Sequence, residues 1–109
     1  MKKDPDDVDA LMGLGHALYD MKHTDRAIEA YLHALEIDTN AKDAYSSLGN
    51  AYYAIEEHDK AVEYYDLAVQ NNPKKPESYY NLGNALCVTN DFPKAITNYE
   101  QAIALDQST

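Results

Sequence analysis

Residues 78–87 read SYYNLGNALC, a run of good helix formers that is interrupted by one glycine, Gly83. An interior glycine costs a helix about 1 kcal/mol relative to alanine, so another feature of the fold must compensate for it. The same Leu-Gly pair occurs upstream in residues 44–53, AYSSLGNAYY, and again in residues 10–19, ALMGLGHALY. The chain is therefore built from repeats.

The repeat length can be read from the glycines, because Gly15, Gly49 and Gly83 follow one another at intervals of 34 residues. Further residues keep this interval through three copies: Leu14, Leu48 and Leu82; Ala17, Ala51 and Ala85; Ala27, Ala61 and Ala95; Tyr31, Tyr65 and Tyr99; Ala34, Ala68 and Ala102. This agreement divides the chain into copies at 8–41, 42–75 and 76–109, preceded by a leader at 1–7.

Each copy contains two helical patterns. In the second copy, apolar residues recur at helical spacing on both sides of a polar break at residues 56–59, EEHD. The residues before the break are Tyr45, Leu48, Tyr52 and Ile55, and those after it are Ala61, Tyr65, Ala68 and Val69. No stretch shows a strand pattern, so the sequence predicts an all-α fold of six antiparallel helices.

Signals for helix ends agree with this division. Pro76 and Pro93 suit the first turn of a helix, where proline removes no hydrogen bond. Thr24 and Asp25 are of types that cap a helix, and we expect them to begin the second helix of copy one. Residues 72–73, Asn-Pro, are expected to end the helix before them.

Small residues recur where two helices of a copy are expected to cross. Gly83, together with Ala95 and Ala102 on the next helix, removes bulk there and lets larger neighbours be buried. That burial is worth about 2 kcal/mol for a Leu or Tyr side chain, which offsets the glycine penalty. The tyrosines expected in this core are Tyr31, Tyr45, Tyr52, Tyr65, Tyr79 and Tyr99, whereas Tyr64 is expected to be exposed.

The composition excludes several classes of partner. The formal charge is −10, which repels nucleic acid and anionic membranes, so we expect neither as a partner. The single cysteine, Cys87, permits no intrachain disulfide and suits a reducing compartment. Because the apolar runs are too short for a membrane span and residues 1–10 lack a signal-peptide core, we expect a soluble, cytoplasmic protein.

No catalytic or metal-binding pattern stands out. The four histidines, at positions 16, 23, 33 and 58, do not show the i, i+4 spacing of a helical zinc site. The glycines lie inside predicted helices and not in a phosphate-binding loop. We therefore expect no enzyme activity, no metal and no cofactor.

Copy two reads Tyr45-x2-Leu48-Gly49-x2-Tyr52, then Ala61-x3-Tyr65, then Pro73. This resembles the tetratricopeptide repeat, whose pattern over 34 residues is W-x2-L-G-x2-Y, then A-x3-F, then P. The departures in copies one and three are mild: Leu11 or Tyr79 for the tryptophan, Leu18 or Leu86 for the first tyrosine, and Thr39 or Gln107 for the proline. The resemblance implies a right-handed α-solenoid of three helix-turn-helix repeats.

The resemblance also implies a binding groove, because in this family the first helix of each pair lines a concave surface that commonly holds a partner's peptide or helix. The corresponding residues here share one face of each first helix. They are Asp9, Met12, His16 and Tyr19; Asp43, Ser46, Asn50 and Tyr53; and Glu77, Tyr80, Asn81, Asn84 and Cys87. The alternative is that this face is merely solvated or contacts a neighbouring repeat.

The side chains at these positions favour a neutral or basic peptide ligand. An asparagine amide both donates and accepts hydrogen bonds, and tyrosines are enriched among residues that dominate binding energy. The first groove position in each copy is acidic, being Asp9, Asp43 or Glu77. Family members that clamp a C-terminal carboxylate use lysine or arginine in this groove, whereas this chain has Met12, His16, Tyr80 and Asn81 in that region. That subtype is therefore not expected.

A structural or assembly role is the alternative function. Solenoid ends usually need a polar cap, and no further helix follows residues 104–109, ALDQST. The chain is then a segment of a longer array, with Asp4-Pro5 as the end of an earlier repeat, or it self-associates through uncapped C-terminal helices. The candidate assembly residues are Ile96, Ile103 and Leu105.

Overall fold

The computed structural model describes residues 7–107, which fold into six α-helices. The helices are α1 (Val8–Asp20), α2 (Thr24–Ile37), α3 (Lys42–Ala54), α4 (His58–Asn71), α5 (Pro76–Val88) and α6 (Phe92–Gln107). No strand occurs within the described residues, and the predicted all-α fold is confirmed. The rest of the predicted leader, residues 1–6, and the last two residues of the third copy lie outside the described part of the chain.

The helices form a solenoid in which each one packs against its neighbours in chain order. The closest pairs are the hairpins α1/α2, α3/α4 and α5/α6, and consecutive hairpins meet through α2 with α3 and through α4 with α5. The described residues extend over 48 × 30 × 21 Å. Within this part of the chain, no helix has the length and apolar character that crossing a bilayer requires.

The three hairpins turn through the same backbone motif. Lys22, Glu56 and Asn90 each have a positive φ, between 65° and 71°. In the first turn, His23 N–H donates to the carbonyl of Leu18 at 2.8 Å, and equivalent bonds close the other two turns. This is the Schellman arrangement, which satisfies carbonyl groups at the end of a helix. It ends the first helix of each pair and directs the chain back along it.

The proline and asparagine signals at helix ends are confirmed. Pro76 is the first residue of α5, and Pro93 is the second residue of α6. Helix α4 ends at Asn71, with Asn72 as its C-cap. Proline therefore marks the beginning of a helix here without removing a bond that the helix needs.

The predicted capping role of Thr24 and Asp25 is wrong. Helix α2 already includes Thr24, and the N-cap residue is His23, which makes no side-chain capping bond. The reason is the position of the Schellman turn: it ends at His23 and α2 begins directly after it, so the cap position falls one residue before Thr24. A side-chain cap does occur at α1, where the Asp7 carboxylate accepts from Ala10 N–H at 3.3 Å.

Two apolar clusters hold the repeats together. The buried members of the first are Leu18, Ala27, Ile28, Tyr31, Leu48 and Ala51, and those of the second are Ala61, Tyr65, Leu82, Ala85, Leu86 and Ala95. Each cluster includes residues from the first helix of the following repeat, namely Leu48 of α3 or Leu82 of α5. The core thus lies between repeats as well as within them, as expected for a stacked repeat protein.

The periodic glycines lie beneath tyrosine rings. A Cβ atom on Gly83 would lie 2.8 Å from Cε1 of Tyr99, and one on Gly49 would lie 2.5 Å from Cδ1 of Tyr65. Gly15 has the same relationship to Tyr31. The predicted need for small residues at the helix crossing is confirmed, and the space that they leave is filled by an aromatic ring.

The tyrosines expected in the core differ in burial. Tyr31 and Tyr65 are buried, whereas Tyr45, Tyr52, Tyr79 and Tyr99 are half-buried. The predicted exposure of Tyr64 is wrong, because its ring is half-buried and stacks on that of Tyr52 with 5.5 Å between centroids. The stacking partner lies on the preceding helix, α3, so the pattern within α4 alone did not reveal it.

Candidate binding groove

The predicted groove residues lie on α1, α3 and α5, and none of them is fully buried. The exposed ones are Asp9, His16, Asp43, Asn50, Glu77 and Tyr80, and the half-buried ones are Met12, Tyr19, Ser46, Tyr53, Asn81, Asn84 and Cys87. We call these thirteen positions the inner stripe. Their accessibility is compatible with ligand contact, and their role in binding stays a prediction.

Neighbouring helices bring parts of the inner stripe together. His16 and Tyr19 of α1 share a cavity of about 210 Å³ with Asn50 of α3. Asp9 of α1 and Asp43 of α3 share a second cavity, of about 350 Å³. The side chains of two first helices therefore face a common space.

A tyrosine hydroxyl from the second helix of each repeat reaches the inner stripe. Tyr65 donates to Oδ1 of Asn50 at 2.5 Å, and Tyr99 donates to Oδ1 of Asn84 at 2.5 Å. Because Oδ1 is occupied by the hydroxyl, each amide presents its Nδ2 donors away from the tyrosine. Within residues 7–107, no acceptor bonds to Nδ2 of either asparagine. These amides are thus fixed in place with donors available.

The first repeat has histidine at the equivalent position. Nδ1 of His16 lies 2.8 Å from the hydroxyl of Tyr31, and the two rings are 5.4 Å apart. When the Tyr31 hydroxyl donates to Nδ1, the neutral ring carries its own proton at Nε2 and has one donor available; the other tautomer reverses these roles. The three repeats therefore share one hydrogen-bond geometry with different residues.

Burial moves the titration of these tyrosines further above physiological pH. Removal from water raises the pKa of Tyr99 to about 12, and the neighbouring Cys87 thiol and Tyr80 contribute in the same direction. Burial also raises the pKa of Tyr65 and of Tyr31 above the ordinary value for tyrosine. Because a neutral hydroxyl is the required donor, the bonds to Asn50 and Asn84 persist throughout the physiological pH range.

The N-terminal part of the inner stripe is acidic. The cavity between α1 and α3 is lined by three carboxylates, those of Asp9, Asp38 and Asp43. At the other end, the carboxylate of Glu77 lies 3.7 Å from Nζ of Lys75, which partly neutralises it.

Cys87 is half-buried at the C-terminal end of the inner stripe. Its Sγ lies 3.6 Å from the hydroxyl of Tyr99, which also bonds to Asn84. The thiol therefore belongs to the same polar group as the asparagine amide. It is a free thiol.

A larger cavity lies at the end of α5 and α6. It measures about 610 Å³, and its walls are mainly apolar side chains, with Tyr80, Tyr99 and Ile103 among them. The sequence identified Tyr80 as a candidate groove residue and Ile103 as a candidate assembly residue. It missed the contribution of Tyr99, although the shared spacing of 15 residues between Asn50 and Tyr65 and between Asn84 and Tyr99 was visible.

The candidate assembly residues lie on α6. Ile96 and Ile103 are exposed, and Leu105 is half-buried. Both isoleucines are on the part of the solenoid where no further described helix packs. Their role in assembly stays a prediction.

No metal-binding group of three or more His, Cys, Asp or Glu side chains is present among the described residues. Of the histidines, His58 has a buried Nδ1 without a hydrogen-bond partner in that part of the chain. Its ring lies edge-on to Tyr53 at 5.1 Å, beside the inner stripe.

The comparison with curated proteins found no match. Among solved structures, a crystal structure of MamA is 28% identical, with a TM-score of 0.92, and the match covers 96% of this chain and 61% of that one. The Sgt2 TPR domain from Aspergillus fumigatus is 31% identical, with a TM-score of 0.86, over 95% of this chain and 68% of that one. This chain thus spans less than two thirds of the MamA chain.

A third similar structure contains a ligand. The second TPR of Spaghetti (RPAP3), bound to the HSP90 peptide SRMEEVD, is 17% identical to this chain, with a TM-score of 0.86. The match covers 90% of this chain and 91% of that one. At this identity the likeness concerns the fold alone.

Family profiles agree with the repeat period. Profiles described as tetratricopeptide repeat match residues 1–42 and 14–76, and a further one matches residues 76–108. The matches together span almost the whole chain, and the fold is that of a helical-repeat scaffold for protein–protein interaction. This chain therefore belongs to the tetratricopeptide repeat family.

Proposed function

We propose that this chain binds an extended peptide segment of a partner protein along the inner stripe, and that the segment is neutral or basic. The observation that carries the proposal is the pair of matching hydrogen bonds from Tyr65 to Asn50 and from Tyr99 to Asn84. Each bond holds an amide whose Nδ2 donors have no acceptor within the described residues. An extended peptide offers backbone carbonyls at regular spacing, which are suitable acceptors.

The hydrogen-bond pattern favours binding through the ligand backbone. Donors that contact main-chain carbonyls do not discriminate between ligand side chains, so the amides provide affinity and register. Tyr19, Tyr53 and Tyr80 flank them with partly exposed aromatic surface. Such residues commonly provide most of the binding energy at protein interfaces.

Charge supports the preference for a neutral or basic ligand. Asp9, Asp38 and Asp43 line one cavity at the α1 end, and the whole chain carries a formal charge of −10. A carboxylate-rich peptide would be repelled there, whereas a lysine or arginine side chain would be attracted. We propose binding without catalysis, in the cytoplasm. We also propose that the three repeats, at 8–41, 42–75 and 76–109, each supply their first helix to the groove.

The proposal is tested by selecting peptides about eight residues long from a displayed random library and by titrating the selected peptide, labelled with a fluorophore, with the chain. The selected sequences should be neutral or basic. Replacing each lysine or arginine in the peptide by glutamate should weaken binding at least tenfold at low salt. Selection of acidic peptides would contradict the charge preference.

A matched pair of variants tests the amide donors. Asn50→Asp together with Asn84→Asp keeps an acceptor for Tyr65 and Tyr99 but removes both donors, so peptide affinity should fall about tenfold or more. Asn98→Ala on α6 removes an amide that lines a cavity away from the inner stripe, and it should leave affinity unchanged. Equal affinity of the double variant and the parent chain would contradict the proposed contact.

A further inference from the structure

The interface between consecutive repeats has a fixed composition. Leu48 of α3 is completely buried and lies in one apolar cluster with Ile28 and Leu35 of α2. The same interface recurs 34 residues later, where Leu82 of α5 is 4% exposed and shares a cluster with Val62 and Val69 of α4. Each interface thus joins one leucine of a first helix to two aliphatic residues of the preceding second helix.

The two ends of the solenoid carry the separate halves of this interface. Leu14 of α1 is the equivalent of Leu48 and Leu82, yet it is 50% exposed. Ile96 and Ile103 of α6 continue the series of Ile28 and Leu35, yet they are 56% and 57% exposed. We call Leu14 with the adjacent Ala17 the N-terminal end face, and Ile96 with Ile103 the C-terminal end face.

The large cavity marks the position that a further first helix would occupy. Its walls include Tyr99, Ala102 and Ile103. The equivalents of the first two in the middle repeat, Tyr65 and Ala68, are 4% and 3% exposed because α5 packs beside them. Ala102 is already only 9% exposed, whereas Tyr99 is half-buried and Ile103 is 57% exposed. A helix like α5 placed against α6 would cover Tyr99 and Ile103, and α1 has the corresponding leucine and alanine.

We propose that the C-terminal end face of one copy of this chain binds the N-terminal end face of a second copy, so that Leu14 packs between Ile96 and Ile103 as Leu82 packs with Val62 and Val69. This contact would continue the two interfaces already formed inside the chain, and it does not depend on the proposed peptide binding. The contact is heterologous, since each copy uses a different surface. Each added copy leaves one face of each kind unoccupied, so association continues in an open series.

Net charge opposes this association. Each copy carries a formal charge of −10, so stacked copies repel one another. Raising the ionic strength from about 0.01 M to about 1 M shortens the screening length from about 30 Å to about 3 Å. We therefore expect added salt to promote association, in contrast to a contact held by opposite charges.

The test is sedimentation equilibrium of the purified chain over a range of concentrations. The average mass should rise continuously with concentration, and the rise should be steeper at high salt. A single-copy mass at all concentrations and salts would overturn the proposal, as would a mass that stops at two copies, which indicates a closed symmetric dimer.

Blocked variants identify the two surfaces. Leu14→Asp and Ile103→Asp each change an exposed position, and each variant alone should weaken self-association at least tenfold. Mixed in equal amounts, they should form a one-to-one complex, because each supplies the face that the other lacks. Ile37→Asp, at an exposed aliphatic position on neither end face, should associate like the parent chain.

The mixing result decides between geometries. If Leu14→Asp still associates by itself, the contact joins two C-terminal faces and the head-to-tail proposal is overturned. If the mixture contains only single copies while both variants have the helical circular dichroism of the parent, the proposal is also overturned. A one-to-one complex that grows no further supports it.

Discussion

The ring of Tyr99 lies against Gly83, so closely that a Cβ atom on the glycine would be 2.8 Å from Cε1 of the ring. The hydroxyl of the same ring donates to Asn84, the next residue in the chain. One tyrosine therefore packs the helix hairpin and fixes an amide of the inner stripe. This relationship recurs with Tyr65, Gly49 and Asn50 in the preceding repeat.

The first prediction concerns the glycines. Gly83→Ala removes a helix penalty of about 1 kcal/mol but forces Tyr99 to move, so we expect a net loss of about 1–2 kcal/mol in the free energy of unfolding. Gly49→Ala should cost more, because Tyr65 is buried between two repeats and has less freedom to move. Unfolding in urea, followed by circular dichroism, measures both changes.

Gly13 provides the control for this comparison. A Cβ atom there meets nothing within 4 Å, and the residue is an exposed member of α1. Gly13→Ala should therefore stabilise the chain by up to about 1 kcal/mol. If Gly83→Ala and Gly49→Ala were as stabilising as Gly13→Ala, the proposed role of the tyrosine rings would be wrong.

The second prediction concerns high pH. The folded state raises the pKa of Tyr99 to about 12 and also raises that of Tyr65, whereas an unfolded tyrosine titrates near about 10. The unfolded chain loses these protons first, so the contribution to stability is complete below about pH 10 and is lost as the pH rises towards 12. The free energy of unfolding should fall over this interval.

Tyrosinate absorbance measures the titration directly, because the chain has ten tyrosines and no tryptophan. Tyr65→Phe and Tyr99→Phe should each remove one late-titrating group from the absorbance curve and reduce the loss of stability above about pH 10. If each substitution instead removes a group that titrates near pH ~10, burial does not raise the pKa of Tyr65 or Tyr99.

The third prediction uses Cys87 as a probe of the inner stripe. Its thiol is half-buried beside Tyr99, at the C-terminal end of the proposed peptide site. A saturating concentration of the selected peptide should slow alkylation of Cys87 by a small maleimide at least several-fold. An unchanged rate, measured by intact mass against time, would place the peptide elsewhere on the chain.

The sequence was sufficient for the repeat and its helices because helix formation here is locally encoded. The spacing of Gly15, Gly49 and Gly83 indicated the period, and the proline at position 76 coincides with the beginning of α5. The capping role of Thr24 was mispredicted, because the Schellman turn before it is defined by backbone geometry at Lys22, a residue with no strong preference for positive φ.

Features that depend on contacts between helices could not be predicted from the spacing of residues within one helix. Leu14 and Leu48 are in the same register of their repeats, yet one is half exposed and the other is buried, because only Leu48 has a preceding second helix beside it. Likewise, Asn50 was identified as a groove residue, but its bond to Tyr65 requires the geometry of the α3/α4 hairpin.

In the proposed binding mode the amides of Asn50 and Asn84 contact the bound peptide, and the side-chain NH₂ resonances of the ¹⁵N-labelled chain report on that contact. Adding the selected peptide should shift the Asn50 and Asn84 NH₂ signals and leave that of Asn98 unchanged. The Asn50→Asp and Asn84→Asp variants assign these signals by their disappearance. Shifts confined to Asn98 and other residues outside the inner stripe, with Asn50 and Asn84 unperturbed at saturation, would contradict the account.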